Sequence, residues 1–273
     1  MKRLGFLCLT LTLLYGQSAL AALPEKAIQV LASVHPIALM AASVVPTEQL
    51  HTLVPVGMTP HDFSLRPSDI DTIQNADIII WAGKDSEPYL AGFTQRWSDK
   101  IWIDISSYGK GSEVKDPHWW FATDIMIQAQ DRLAAELGVV HSDFASRVRA
   151  ATQYAYSELT PLQKQGFFVF HQAYDHWVKA MDLHQVGAFT ISPERKPGAR
   201  TLQTMRKQLS QGEVVCVFSE PEFSPALVDA TVAGIEINRG ELDPMATHIA
   251  LAEDGYIKFI EDLTQRFKRC LTQ

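Results

Sequence analysis

The sequence predicts an α/β protein of two similar lobes, each with a mainly parallel sheet, joined by one long helix. Three observations carry this expectation. Short β-rich runs alternate with longer segments of helical spacing, as in strand-helix-strand units. The alternation occurs twice, and a glycine-free stretch of helix formers separates the two sets.

The chain opens with "MKRLGFLCLTLTLLYGQSALA", a basic start, an apolar stretch and a small-residue end, which reads as a signal peptide over residues 1–21. Its apolar part ends near Tyr15, short of the roughly 20 residues a membrane-spanning helix needs. The mature chain is therefore expected to be soluble and exported. Its length, about 250 residues, suits two domains of roughly 100 to 150 residues each.

In the N-terminal lobe, residues 22–141, the expected strands are "IQVLAS" at 28–33, "HTLVPV" at 51–56, "ADIIIWAG" at 76–83 and "KIWIDIS" at 100–106. A connecting helix follows over 142–164, with Phe144, Val148, Ala151, Tyr154 and Leu159 spaced mainly by threes and fours and Ser142 as its candidate cap. A helix there serves as a stiff connector rather than a flexible linker. The C-terminal lobe, residues 165–273, repeats the pattern with "GFFVFH" at 166–171, "VGAFTI" at 186–191, "VVCVFSE" at 214–220 and "AGIEIN" at 233–238.

A formal charge of −7 and the absence of a long Lys/Arg cluster exclude a nucleic-acid surface and a polybasic membrane patch. Of three cysteines, Cys8 leaves with the signal peptide, and Cys216 and Cys270 remain. In an oxidising compartment an even pair favours a disulfide over two buried thiols.

Chemistry is concentrated at strand ends. His61 follows "HTLVPVGMTP", His118 lies in "DPHWWF", His171 closes "FFVF", and Asp243 sits in "RGELDP" beyond the last expected strand. In open α/β sheets the carboxyl ends of strands face the ligand crevice, and imidazoles with a carboxylate suit zinc. The residues stand more than about 50 positions apart and form no local ligand motif such as HExxH. Taken singly, each has an ordinary reading. His61 caps a turn, His118 is held by Asp116 or packed among aromatics, His171 is a bonded core histidine, and Asp243 shapes an Asp-Pro turn.

The segments "PVGMTPHDFSLRPSDIDTIQNADIIIWAG", "DPHWWF", "FFVFHQAYDHW", "SPERKPGARTLQTMRKQL", "VCVFSEPEFSPALV" and "GELDP" together resemble, in order, the zinc-binding solute receptors of bacterial ABC importers. The resemblance implies two α/β lobes with the metal in the interlobe cleft. It implies His61, His118 and His171 as imidazole ligands, with Asp243 at the carboxylate position. It also implies a Cys216–Cys270 disulfide, and imidazole at His171 favours zinc over manganese, in keeping with ligand softness. The function implied is a periplasmic, non-enzymatic receptor. It binds Zn(II) as its transported ligand and delivers it, as a monomer, to an ABC importer permease.

Two departures from the family pattern stand out. The loop "SSYGKGSEVK" before "DPH" is short and lacks histidine, and Pro60 precedes His61 where some relatives have an acid. The fourth ligand position then falls to Asp243 or to water. Among the other histidines, His35 is a candidate to face the cleft. His176, His51, His141, His184 and His248 read as packing or surface residues, and Glu220 reads as either a partner of the site or a structural carboxylate. Competing functions are a secreted zinc-dependent hydrolase, since three histidines with an open position can activate water, a manganese or other divalent-metal receptor, and a receptor-like adhesin.

Overall fold

A computed structural model of the chain describes residues 27–191 and 197–272. The expected signal peptide and Cys8 lie outside the described residues. No described helix is long and apolar enough to cross a membrane.

The first sheet contains β1 (Val30–Ala32), β2 (Leu50–Thr52), β3 (Ile78–Trp81) and β4 (Ile101–Asp104), in the order β2-β1-β3-β4. The second contains β5 (Gly166–His171), β6 (His184–Thr190), β7 (Val214–Ser219) and β8 (Asn238–Glu241), in the order β6-β5-β7-β8. Every pairing is parallel, so the two halves share one topology, as their repeated pattern predicts. In each half the chain crosses over between its second and third strands. That crossover creates a switch point at whose carboxyl side a crevice opens.

The central strands are apolar because helices cover both their faces. Ile78 to Trp81 and Gly166 to His171 are buried without interruption, the signature of a parallel sheet with two covered faces. Strand β2 is shorter than expected, although the Leu53 and Val54 N–H groups still donate to the Ala32 and Ser33 carbonyls. Pro55, which has no N–H, ends the pairing. The last strand is displaced from the expected 233–238 to Asn238–Glu241. Gly234 turns the chain at φ +77°, and Ile235 and Ile237 pack on a side cluster instead of entering the sheet.

Nine described helices complete the layers: α1 (His35–Ala41), α2 (Pro67–Asn75), α3 (Ala91–Arg96), α4 (Thr123–Glu136), α5 (Phe144–Leu159), α6 (Asp175–Met181), α7 (Ala199–Leu209), α8 (Ala226–Val232) and α9 (Gly255–Leu271). Between the sheets, the helix expected over 142–164 is found as the shorter α5. A 3-10 turn at Thr160–Leu162 follows it, with Pro161 inside that turn. The cap position is Asp143, yet the Ser142 hydroxyl does accept the Phe144 N–H. The helix buries Phe144, Val148, Ala151, Ala155 and Leu159 and packs against α4 and α9, while Tyr154 points outward at 48 % exposure. It is thus part of the core.

That core is continuous from β1 through α9, with a smaller cluster around Phe168, Phe189 and Val217 on the outer side of the second sheet. Helix α9 contributes Phe259, Ile260, Leu263 and Phe267 at spacings of three and four. Its Cys270 is joined by a disulfide to Cys216 of β7 across a Cα–Cα distance of 5.8 Å. One core thus serves both sheets.

Candidate metal centre

His61 lies in the loop between β2 and α2. Its N–H meets the Thr59 hydroxyl at 3.3 Å, Phe63 is buried behind it, and the loop closes where the Arg66 N–H donates to Asp69 at the start of α2. His118 lies beyond β4, just ahead of a 3-10 turn at Trp119–Phe121. This second loop is clamped to the other half of the molecule. The Trp120 Nε1–H donates to the Pro244 carbonyl at 2.9 Å, and the Tyr256 hydroxyl donates to the Trp120 carbonyl at 2.8 Å. His171 is the last residue of β5.

The three rings face one another in a nearly equilateral triangle, with centroid separations of 5.4, 5.5 and 5.1 Å. The His118 Nε2 lies 3.2 Å from that of His61 and 3.4 Å from that of His171. One ligand nitrogen from each of the three lies within 4.8 Å of the others. Zinc bound to imidazoles at about 2.0 to 2.1 Å with tetrahedral angles requires N···N separations of about 3.3 to 3.4 Å. The two measured distances are therefore those of neighbouring vertices around such an ion.

Buried carboxylates set the tautomers. Asp116 Oδ1 accepts the His118 Nδ1–H and the His118 backbone N–H, while its Oδ2 accepts the Asp175 N–H at 3.0 Å. Glu220 accepts the His171 Nδ1–H at 2.7 to 2.9 Å and the Tyr174 hydroxyl at 3.0 Å. With Nδ1 carrying the proton in both rings, each Nε2 presents a lone pair to the other. Such carboxylate-imidazole pairs orient metal ligands and raise their basicity. His118 and His171 are 3 % and 2 % exposed, so water does little to screen the lone pairs and a cation is the natural neutralising group.

Burial weighs differently on the two carboxylates. Burial alone pushes Asp116 upward, but the electrostatic attraction of the His118 ring and the hydrogen bonds Asp116 accepts outweigh it and hold the group below the usual carboxylate value. For Glu220 burial prevails and pushes the pKa up to about 8, although the Tyr174 hydrogen bond and the attraction of the His118 ring oppose it.

Asp243 is not brought into the triangle. Buried beside it in the chain's turn after β8, its Oδ1 accepts the Met245 N–H, and its Oδ2 accepts the Thr247 N–H, the Thr247 hydroxyl and His248 Nδ1. His248 is therefore more than a surface residue. His35 bonds the Ile249 carbonyl at 2.8 Å and fastens α1 to the second half, and His176 bonds the Asp116 carbonyl at 2.8 Å, which supports the His118 loop. Sequence reasoning passed over Glu222, which lines the same cavity as the three histidines together with Trp120, Phe223 and Met245. Burial, then the neighbouring Asp243 charge, pushes its pKa up to about 8. The available signal was a second acid two positions after Glu220 in "SEPEF".

Comparison with known proteins gives a consistent result. Residues 30–270 match the family model described as zinc-uptake complex component A, periplasmic. The chain is 32 % identical to the high-affinity zinc uptake system protein ZnuA of Yersinia pestis, over 89 % of this chain and 91 % of that protein. It is 26 % identical to the ZnuA of Haemophilus influenzae, over 89 % and 93 % of the two chains. Among solved structures, a zinc-bound ZnuA deletion mutant superposes with a TM-score of 0.73 at 20 % identity, over 90 % of this chain and 98 % of that one. The periplasmic zinc-binding protein TroA of Treponema pallidum gives 0.76 at 18 % identity, over 89 % and 99 %. The laminin-binding protein Lmb of Streptococcus agalactiae, described as both adhesin and metal transporter, also gives 0.76, at 20 % identity over 90 % and 100 %. These structural likenesses show the two-lobed fold.

Proposed function

This chain belongs to the periplasmic zinc-uptake component A family, and from that premise we propose that it captures Zn²⁺ between its lobes through His61, His118 and His171 and delivers it to an ABC importer permease. The observation that carries the proposal is the spacing of the Nε2 atoms, 3.2 and 3.4 Å along the two edges that meet at His118, which suits neighbouring vertices around a tetrahedral zinc. The chain's task in this reading is capture and transfer rather than catalysis, and the ion is cargo.

The donor set supports zinc over manganese. Imidazole nitrogens suit zinc, whereas manganese sites favour carboxylate, carbonyl and water oxygens. The ligands must be unprotonated to bind, so affinity falls as pH drops through the histidine range. Metal analysis of protein purified without added zinc, followed by competition with manganese, tests the reading. The expected result is about one zinc per chain that equimolar manganese does not displace. Failure to retain zinc, or its replacement by equimolar manganese, would refute it.

A further inference from the structure

Glu222 sits in the loop that follows β7, two residues beyond Glu220. The two acids are used differently. Both Glu220 oxygens receive donors, from His171 and Tyr174. Both Glu222 carboxylate oxygens are shut off from solvent and, among the described residues, accept no hydrogen bond of ordinary geometry. A buried carboxylate without donors is costly, and where a native structure keeps one it calls for a specific explanation, a bound ion among them.

The cavity it lines supplies that explanation. Among the described residues no Lys or Arg lines it, and its walls are otherwise largely apolar, with Trp120, Phe223 and Met245 among them. The polar groups facing the space are thus dominated by the three imidazoles and this carboxylate. A neighbouring acid, Asp243, brings more negative charge rather than a counter-charge. An acceptor-rich, water-poor pocket of this kind is completed by a divalent cation.

We propose that Glu222 supplies the fourth ligand to zinc, giving a three-nitrogen, one-oxygen shell. The proposal rests on the reading of His61, His118 and His171 as the zinc site. Three neutral imidazoles leave the ion's two charges uncompensated, and one carboxylate reduces them to one. Glu222 is better placed for this than Asp243. Asp243 would have to give up hydrogen bonds from Met245, Thr247 and His248, whereas Glu222 leaves no donor behind. Its carboxylate stands outside the 4.8 Å group of nitrogens, so it reaches the ion by rotating about its own side-chain bonds.

The test uses the full chain as parent and as Glu222→Gln, Asp243→Asn and His118→Ala. Zinc affinity is measured by chelator competition, the visible spectrum is recorded with Co²⁺, and thermal unfolding is followed in chelator. Glu222→Gln should weaken zinc binding by at least the 10- to 100-fold typical of carboxylates that merely support a ligand. It should also alter the cobalt spectrum and leave unfolding in chelator no earlier than in the parent, because Glu222 has no hydrogen-bond donor among the described residues to lose. Asp243→Asn should keep the parental cobalt spectrum. If Glu222→Gln keeps both parental affinity and cobalt spectrum while His118→Ala loses zinc, the Glu222 assignment fails and the histidine site stands. A spectrum altered by Asp243→Asn instead moves the fourth ligand there and overturns the proposal. Earlier unfolding of Glu222→Gln with an unchanged spectrum assigns a structural role and also overturns it. If His118→Ala retains parental affinity, the zinc site itself is wrong.

Discussion

Replacing Asp116 by Asn should separate the orientation of a ligand from its presence. The carboxylate uses both oxygens as acceptors, Oδ1 toward the two N–H groups of His118 and Oδ2 toward the Asp175 N–H. An amide has only one oxygen. If it faces His118, its NH₂ meets the Asp175 N–H, donor against donor; flipped, it meets the His118 Nδ1–H. Either way a buried donor is stranded, at about 1 to 3 kcal/mol of stability. The flipped form also disfavours the tautomer that leaves Nε2 available. Loss of a carboxylate behind a metal-binding imidazole typically lowers affinity by 10- to 100-fold, about 1.4 to 2.7 kcal/mol. Zinc competition at neutral pH should show that loss in Asp116→Asn with all three histidines intact. An affinity within about threefold of the parent would refute the claim that Asp116 fixes His118 for metal.

Two further perturbations test the scaffold. The Cys216–Cys270 bond closes 54 residues, so its replacement by alanines should cost about 4 kcal/mol in the chain-entropy account and lower the Tm by roughly 10 °C; an unchanged Tm contradicts this. Glu87 is fully buried, and burial pushes its pKa up to about 7 against 4.5 unfolded, although the Ala82 N–H partly offsets the rise. Between those values the unfolded chain gives up a proton that the folded chain keeps, so this group's contribution falls as pH rises. From pH 5 to 8 in chelator, Glu87→Gln should lose less stability than the parent by on the order of 2 to 3 kcal/mol, read from denaturant unfolding, and parallel pH profiles would contradict this.

The sequence carried the fold well because its strands are buried on both faces and read as apolar runs. Ile78 to Trp81 and Phe167 to Phe170 had no plausible exposed alternative. It misled where an apolar run had another way to be buried. Ile235 and Ile237 satisfy that demand against a side cluster, which leaves the polar Asn238–Glu241 to form the edge strand. Tyr154 fitted the spacing of the α5 stripe, but Ala155 is the buried neighbour and Tyr154 points outward. At the site, strand-end position and resemblance singled out the histidines, and the structure brings the three together. The sequence left Asp116 as one possible support for His118 and Glu220 as one possible partner of the site; which reading held depends on side-chain direction, which spacing does not encode. Asp243 and Glu222 show the same limit: a carboxylate's availability depends on which donors surround it, and those come from Thr247 and His248 in one case and from no described residue in the other.

The central claim is that three imidazoles from separate strand ends hold one zinc ion. Its most direct test is equilibrium zinc titration of His61→Ala, His118→Ala and His171→Ala beside the parent. The account predicts that each variant loses affinity by at least the 10- to 100-fold already expected for a supporting carboxylate, and that none regains it with manganese. Near-parental zinc affinity in all three variants would contradict it.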